Sequence, residues 1–286
     1  MMNRICFTAV VLALLSCTGK DNAEDIQTPP SPSGNGSGNG SGNTDTGNVP
    51  DGWELVWEDN FDGDAINTAN WSRVPWSTPD WQNMMAPKRT DLAYVENGEL
   101  VLLGKVNDHS GSETTTYVTG GVQSQNKKHF KLARFEARVK FNSLQGFWPA
   151  VWLMPNSNVQ WPNGGEIDIM EHINLEYVAY QTIHSYYTQK VDDTGHSASK
   201  SIKRNDWNTF AVEIYEDKIC MYTNGVKTLT YSKKEGAANQ WPFATYSYYI
   251  ILSNQLEGSW AGQVTDPSKL PSELRVDWVR VYQRKE

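Results

Sequence analysis

Three acidic side chains that could do chemistry together lie within six residues: Glu166, Asp168 and Glu171, in the segment EIDIME. In a regular β-strand, residues two apart share a face, so Glu166 and Asp168 should agree and Glu171 should point the other way. A β-bulge near Ile169 and Met170 would place two residues opposite one and return Glu171 to the face of the other two. The spacing therefore predicts a bulged strand that presents three carboxylates on one solvent-facing, concave surface.

Two carboxylates with different pKa values are the usual equipment for hydrolysing glycosidic bonds. One attacks or stabilises the anomeric carbon and the other protonates the leaving oxygen. Like charges close together raise the pKa of one partner, so one acid can stay protonated near neutrality. A plain solvated face and a calcium site are the alternatives for three acids on a strand. Trp148, Trp152 and Trp161 frame the acids, and because aromatic rings match the apolar faces of sugars, we favour sugar chemistry.

The elements that must position these acids have the pattern of strands. Residues 133–141 alternate between apolar and charged side chains, which favours a strand with one buried face. Residues 209–231 hold Asn224-Gly225 between two apolar runs, the strongest short signal for a β-hairpin, and residues 274–283 predict a closing strand. The sequence shows no convincing long amphipathic helix. Residues 51–286 are therefore predicted to form one all-β sandwich.

The composition narrows the class of protein. The chain has 286 residues, a formal net charge of −8 and 12 tryptophans. This charge disfavours a nucleic-acid partner, because neutralising phosphates needs an excess of Lys and Arg. A core needs few tryptophans, so several should line a binding surface. Of the three cysteines, Cys6 is predicted to be removed with a signal peptide and Cys17 to be lipidated, as described below. Cys220 then has no partner for an internal disulfide and is expected to be a small buried side chain.

The N-terminal region predicts export. In residues 1–16, one positive charge precedes an apolar run too short to span a bilayer, as in a signal peptide. The run ends in LLSC, which is similar to a bacterial lipobox and predicts lipidation at Cys17; an ordinary signal peptide with an incidental cysteine is the alternative. Residues 17–50 are rich in Gly, Ser, Asn and Pro, so they are predicted to be a disordered tether reaching roughly 30 Å.

These features predict an outer-membrane lipoprotein displayed at the cell surface. The membrane is then a partner only through the lipid anchor, because the chain itself does not span it. A periplasm-facing or a secreted protein is the alternative.

The acidic segment, read with its surroundings, resembles glycoside hydrolase family 16 in its bulged form Glu-x-Asp-x-x-Glu. The resemblance runs over nearly all of the chain after the tether. The segments that carry it, in family order, are LVWEDNFDG (55–63), VENGELVL (95–102), TGGVQSQNKKHFKLARFEARVKF (119–141), GFWPAVWLMP (146–155), GGEIDIME (164–171) and SELRVDWVRVYQ (272–283).

The resemblance implies a concanavalin A-like β-jelly-roll sandwich of two antiparallel sheets, with a substrate cleft across the concave sheet. It also implies an endo-acting, retaining glycosidase with no catalytic cofactor. In that family's pattern Glu166 matches the nucleophile, Asp168 an assisting acid and Glu171 the acid/base. The expected partner is a polysaccharide or a glycoprotein glycan, and the expected state is a monomer.

Further substrate contacts are expected around the cleft. Trp148 and Trp152 share a strand face, although Trp152 could equally belong to the core. Trp161 matches a sugar platform of the family, and His184 and Tyr186 share a face of the strand expected over residues 179–188. The remaining candidates, which border the cleft in relatives or lie in a Trp-rich N-terminal loop, are Gln255, Trp260, Trp76, Trp81 and Arg89. For Trp76, Trp81 and Arg89, surface or core roles are equally compatible with the sequence.

Relatives often carry a structural calcium ion on the convex side, and Asp277 matches one of its ligands. The opening strand has Asn60 where Glu is common in the family, so the ligand set differs.

Two stretches, SRVPWSTPDWQNMM and EIDIMEHINLEYVAYQTIHSYYT, look most similar to endo-β-galactosidase-like members that cut mucin-type O-glycans or N-acetyllactosamine chains. An endo-β-1,3(4)-glucanase is the alternative, followed by a non-catalytic glycan-binding lipoprotein.

Overall fold

A computed structural model describes residues 49–192 and 194–286 of the protein. The predicted signal peptide (1–16), the lipidation site Cys17 and the tether up to residue 48 lie outside the described residues. Within the described ranges, no helix is long and apolar enough to cross a membrane.

Nearly all regular structure in these ranges is β-strand. The strands in chain order are β1 (Trp53–Asp59), β2 (Ser72–Arg73), β3 (Ala93–Glu96), β4 (Glu99–Val106), β5 (Tyr117–Thr119), β6 (Gly121–Gln123), β7 (His129–Phe130), β8 (Arg134–Phe141), β9 (Phe147–Pro155), β10 (Glu166–Glu171), β11 (Val178–His184), β12 (Ser197–Ser201), β13 (Asn208–Ile214), β14 (Lys218–Thr223), β15 (Val226–Ser232), β16 (Tyr248–Leu256) and β17 (Ser272–Arg284). One short α-helix, α1 (Tyr186–Lys190), and two 3-10 turns, Thr90–Leu92 and Pro267–Lys269, complete the set.

The strands form two sheets, and every pair of named strands is antiparallel. The back sheet has the order β15-β14-β13-β8-β17-β4-β3, with β1 beside β17 and β5 beside β4. The cleft sheet has the order β12-β11-β10-β9-β16-β6-β2, with β7 beside β16. About half of the neighbouring strands in each sheet are distant in sequence, so each sheet is assembled from several parts of the chain. The predicted fold class, an all-β jelly-roll sandwich, is confirmed.

The core lies between the two sheets and follows from the period of two along each strand. In β8, Phe135, Ala137, Val139 and Phe141 are buried, while the charged residues between them face outward. This alternation is the one predicted from the sequence. The inner faces of both sheets contribute to one continuous cluster of buried apolar side chains.

The predicted hairpin joins β14 to β15. Asn224 and Gly225 have φ values of 50° and 76°, so both adopt the left-handed conformation that a type I′ turn requires. Cys220 in β14 is buried, as expected. The closing strand β17 runs beside β8 in the middle of the back sheet, which ties the end of the chain to its centre.

Candidate active site

The three acids lie on β10, between β9 and β11 in the middle of the cleft sheet. The pairing register with β11 shifts between Asp168 and Glu171, and the register with β9 shifts between Asp168 and Met170. The predicted bulge is therefore present. Ile169 and Met170 are both buried, and Glu171 lies in the same hollow as Glu166 and Asp168.

This hollow is a cleft of about 430 Å³ above the outer face of the cleft sheet. Alternate residues of β9 and β16 form its floor, β10 supplies the acids, and loops supply the walls. The lining residues are Pro79, Trp81, Trp148, Ala150, Trp152, Met154, Trp161, Glu166, Asp168, Glu171, Tyr249, Ile251, Ser253 and Gln255. Aromatic and apolar side chains around a few polar groups are the usual make-up of a small-molecule site.

The surroundings keep protons on the acids. Asp168 is 3% exposed, and burial raises its pKa to about 8. Burial, and then the neighbouring Asp168, raise the pKa values of Glu166 and Glu171 to about 8 as well. Burial disfavours the charged form of a carboxyl group, and a second negative charge nearby adds to the effect. Near neutral pH the cluster therefore retains protons, which a general acid requires.

Tryptophan side chains make specific contacts with this cluster. The Trp148 Nε1–H donates a hydrogen bond of 2.9 Å to Glu171 Oε1. This bond favours the ionised form and opposes the upward shift in the pKa of Glu171. Trp161 acts in the same downward direction on the pKa of Glu166, against the larger effects of burial and Asp168. Each glutamate thus has an indole beside it, on opposite sides of Asp168.

His184, at the end of β11, reaches into the cluster from the side. Its Nε2 atom is 3.1 Å from Asp168 Oδ2 and 4.0 Å from Glu166 Oε1. The other ring nitrogen, Nδ1, is 2.7 Å from the Nε2 atom of Gln189 in α1. The imidazole therefore contacts the acids on one side and a helix side chain on the other.

Other aromatic residues form the walls. Trp81 packs edge-on against Trp152, with ring centroids 4.6 Å apart, and the Trp152 Nε1–H donates to Ser253 Oγ. Trp260 packs edge-on against Trp148, with centroids 5.6 Å apart, so it supports the rim without lining the cleft itself. Trp161 is 52% exposed, which leaves its ring free to contact a ligand.

Three expected substrate contacts lie elsewhere. The prediction that one strand runs through Tyr186 is wrong. Strand β11 ends at His184, and Tyr186 is the first residue of α1, with its side chain exposed. The sequence pattern could not separate a strand from one turn of helix over so few residues. Trp76 is exposed and donates to the backbone oxygen of Asn83, outside the cleft lining.

Arg89 is also not in the cleft. It is buried and pairs with Asp91 and Asp108, and Lys105 contacts the same two carboxylates. A buried guanidinium needs such partners to offset its loss of hydration. This network accounts for Arg89 as a structural residue beneath the N-terminal loop.

The surroundings of Asp277 do not fit a calcium site. Its carboxylate pairs with the guanidinium of Arg138, and that arginine lies 4.7 Å from the centre of the Trp207 ring. Calcium takes six to eight oxygen ligands, whereas the partner of this carboxylate is a cation. Asp277 is therefore assigned to an ion pair on the back sheet.

The sequence reasoning missed the floor residues contributed by β16. Tyr249, Ile251 and Ser253 alternate with core residues and lie in line with Gln255, which was expected near the cleft. All residues of β16 are buried, so no polar face marked one side of the strand. Alternation counted back from Gln255 was the signal that could have identified them.

A sandwich whose open sheet presents three carboxylates in a tryptophan-lined cleft is typical of a glycoside hydrolase. The comparisons with known proteins agree: residues 86–280 match the family Glycosyl hydrolases family 16. The chain belongs to this family. The resemblance inferred from the sequence motifs is confirmed.

Individual relatives differ in what they act on. The chain is 34% identical, over 239 residues, to the keratan-sulfate endo-1,4-beta-galactosidase of Sphingobacterium multivorum; the match covers 80% of this chain and 55% of the relative. The chain thus spans about half the length of that relative.

Solved structures show the same fold. SCLam, a non-specific endo-beta-1,3(4)-glucanase from family GH16, matches with a TM-score of 0.75 and 26% identity, covering 83% of this chain and 93% of SCLam. A structure described under endo-acting O-glycanases that initiate mucin breakdown by human gut microbiota matches with a TM-score of 0.72 and 27% identity. That match covers 81% of this chain and 100% of the O-glycanase chain.

Proposed function

We propose that this protein is a retaining endo-β-glycosidase that cleaves internal bonds of a glycan by double displacement. One observation carries the proposal: Glu166, Asp168 and Glu171 share one face of a bulged strand, at the bottom of a tryptophan-lined cleft. Family membership supports the reaction class. The family pattern and the surroundings of the three residues support the roles proposed for them.

In the first step, Glu171 donates its proton to the glycosidic oxygen while Glu166 attacks the anomeric carbon. The bond to the leaving oxygen breaks, and a glycosyl ester of Glu166 forms. The ester is neutral, so one negative charge disappears from the cluster and the pKa of Glu171 falls. Glu171 then removes a proton from water, which attacks the ester and releases the sugar with retained configuration. Asp168 lies between the two glutamates, and its negative charge raises the pKa of each.

For the substrate, we propose a β-galactoside-containing chain such as a mucin-type O-glycan or an N-acetyllactosamine repeat. The likeness to the keratan-sulfate endo-1,4-beta-galactosidase and to the O-glycanase structure supports this choice. An endo-β-1,3(4)-glucan substrate is the alternative, supported by the likeness to SCLam. The catalytic acids are common to both possibilities, so the loops around them must distinguish the sugars.

A panel of glycans tests the proposal. Laminarin, mixed-linkage glucan, agarose and mucin glycans with N-acetyllactosamine are digested side by side, and new reducing ends are measured. We expect release from the mucin glycans. Release from laminarin alone would select the glucanase, and binding without release from any β-glycan would identify a glycan-binding protein.

The variant Glu166→Gln tests the mechanism separately from the substrate. It keeps the shape of the nucleophile and removes its negative charge, so turnover should fall by at least roughly 10³-fold while glycan binding persists. Turnover near that of the wild type would contradict the role of Glu166. The anomeric configuration of the first product, followed by NMR, checks that the reaction retains configuration.

We also propose that the chain is a monomeric lipoprotein anchored through Cys17 to the outer membrane and displayed at the cell surface. The lipobox-like segment and the following tether support this location. Labelling of cells with a radioactive fatty acid should mark the wild type and not Cys17→Ser. Protease added to intact cells should remove the protein if it faces outward.

A further inference from the structure

The helix α1 follows β11 directly and brings Gln189 back against His184. A capping box fixes its first turn: Ser185 Oγ accepts from the Thr188 backbone N–H, and Thr188 Oγ1 accepts from the Ser185 backbone N–H. The backbone N–H of Gln189 also donates to the Ser185 carbonyl oxygen. The Gln189 amide nitrogen consequently lies 2.7 Å from His184 Nδ1.

The two sides of the His184 ring agree on one protonation state. The amide nitrogen of Gln189 is only a donor, so Nδ1 must accept. A neutral imidazole carries one N–H, so a ring that accepts at Nδ1 has its proton on Nε2, which is 3.1 Å from Asp168 Oδ2. The ring is then neutral, with its single N–H on the nitrogen nearer to Asp168.

We propose that Gln189 is a positioning residue of the hydrolytic site, which holds the His184 ring neutral and keeps its Nε2–H on the side of Asp168. This inference rests on the proposed glycosidase activity and adds a residue that does not touch the sugar. No sequence motif indicated Gln189, because its role depends on the turn of helix that replaces the expected strand.

The orientation matters because Asp168 has no other support on that side. Within the described part of the chain, Asp168 Oδ2 is buried and has no hydrogen-bond partner. His184 Nε2 is near enough to donate, at 3.1 Å, but is not aligned for a hydrogen bond. Catalytic hydrogen bonds are often poorly aligned before substrate binds and tighten afterwards. A ring held at Nδ1 needs only a small movement to complete that bond.

The neutral state matters because the nucleophile is close. An imidazolium at His184 would place a positive charge 4.0 Å from Glu166 Oε1. It would weaken the nucleophile and oppose the positive charge that develops on the sugar in the transition state. Donation by Gln189 disfavours a second proton on the ring, because two N–H groups would then face each other. The groups that face His184 are Glu166 and Asp168 from β10, Gln189 from α1, and the rings of Trp161 and His196 at 6.3 Å.

The first test is the tautomer itself. The chain has five histidines, so ring ¹⁵N–¹H NMR of the labelled protein can be assigned with a His184→Asn variant. We expect a proton on Nε2 and none on Nδ1 of His184 in the wild type. In Gln189→Glu, which offers Nδ1 an acceptor of the same size, both nitrogens should carry protons around neutral pH. A wild-type ring protonated on Nδ1 would overturn the proposal.

The second test is kinetic. Gln189→Ala should lower kcat by roughly tenfold to a hundredfold, within the roughly 10²-fold loss that a misplacement of 1 Å can cause, with KM changed less than about threefold. Gln189→Glu should lose kcat most strongly on the acidic side of the pH profile, where the imidazolium is favoured. Lys190→Ala, an exposed neighbour in the same helix, is the matched control and should behave like the wild type.

The outcomes separate this inference from the proposed function. A wild-type kcat and pH profile in both Gln189 variants would overturn the positioning role even if Glu166→Gln is inactive. If the wild type hydrolyses no β-glycan, the proposed function fails, while the NMR experiment still decides the state of the ring. If Gln189→Ala does not fold, Gln189→Glu and the wild-type spectrum remain decisive.

Discussion

At the scale of single residues, Asp168 shows that the site lowers the free energy of unfolding. In the unfolded chain, an Asp carboxyl group is ionised above a pKa of about 4. In the folded protein, Asp168 is only 3% exposed. Burial raises its pKa to about 8 in the folded protein. Between these two values the folded state binds more protons than the unfolded state, so the stability of the fold falls as pH rises.

This sign gives a test with Asp168→Asn, which keeps the shape and removes the charge. We expect the variant to be more stable than the wild type in urea unfolding, with a gain that grows between about pH 5 and pH 8. Each pKa unit of difference between the folded and unfolded states is worth about 1.4 kcal/mol. Asp62→Asn, at an exposed position, is the control and should change little. A gain that stays constant over this pH range would contradict the burial effect.

Trp148 offers a test of the acid/base role proposed for Glu171. Its Nε1–H donates to Glu171 Oε1 at 2.9 Å and so favours the ionised form of Glu171. Trp148→Phe keeps an aromatic ring and removes this donor, which should raise the pKa of Glu171. Because the proposed mechanism needs a protonated Glu171 for the first step, the alkaline limb of the kcat/KM profile should move to higher pH.

The matched control for that experiment is Trp260→Phe. Trp260 packs against Trp148 and is not among the cleft-lining residues. We expect its profile to keep the wild-type limb. Movement of the Trp148→Phe limb to lower pH would contradict the role of the hydrogen bond.

At the scale of elements, the bulge in β10 decides which face Glu171 takes. Ile169 and Met170 are both buried where a regular strand would bury one residue. Deleting Met170 would leave Glu-Ile-Asp-Ile-Glu, whose regular period of two keeps all three acids on one face. Deleting Ile169 and Met170 together would turn the second glutamate towards the core.

The two deletions are expected to have opposite effects on hydrolytic activity. The single deletion should retain measurable hydrolysis and should lose roughly 2–5 kcal/mol of stability, as expected for removing a buried methionine side chain. The double deletion should abolish hydrolysis, because a glutamate in the core cannot protonate a bond in the cleft. Reducing-end assays and urea unfolding measure both. Equal activity in the two variants would show that the bulge does not set the facing of Glu171.

The elements also show how far sequence reasoning reaches. The face shared by the three acids, the bulge and the alternating strands were predicted from side-chain types and periods of two. The structure contains all three features. Tyr186 and Arg89 were expected near the cleft and are not there. A single turn of helix leaves no periodic signal, and a surface arginine cannot be told from one paired with Asp91 and Asp108 without the fold. Periodicity in the sequence carries no information about contacts between segments that are far apart in the chain.

At the scale of the whole molecule, the walls of the cleft are built from loops that hold each other. Asp80 Oδ2 accepts a hydrogen bond of 2.7 Å from the backbone N–H of Ser259, which joins the loop of Trp81 to the loop of Trp260. The floor and the acids come from paired strands, which the core fixes. The hydrolytic chemistry is therefore set by the sandwich, and the choice of sugar can change with the loops.

The same division predicts which part of the chain suffices for catalysis. All residues that line the cleft lie between Pro79 and Gln255, and β1 pairs with β17 to complete the back sheet. A protein consisting of residues 49–286 should therefore fold and hydrolyse a soluble glycan with kcat/KM within about twofold of the full chain. Removing β1 as well, by starting at residue 60, would take away buried Trp53 and expose the edge of β17, so that protein should unfold or aggregate. Circular dichroism, thermal unfolding and reducing-end assays on both proteins check this, and loss of activity in the protein starting at residue 49 would show that the N-terminal region takes part in the fold or the site.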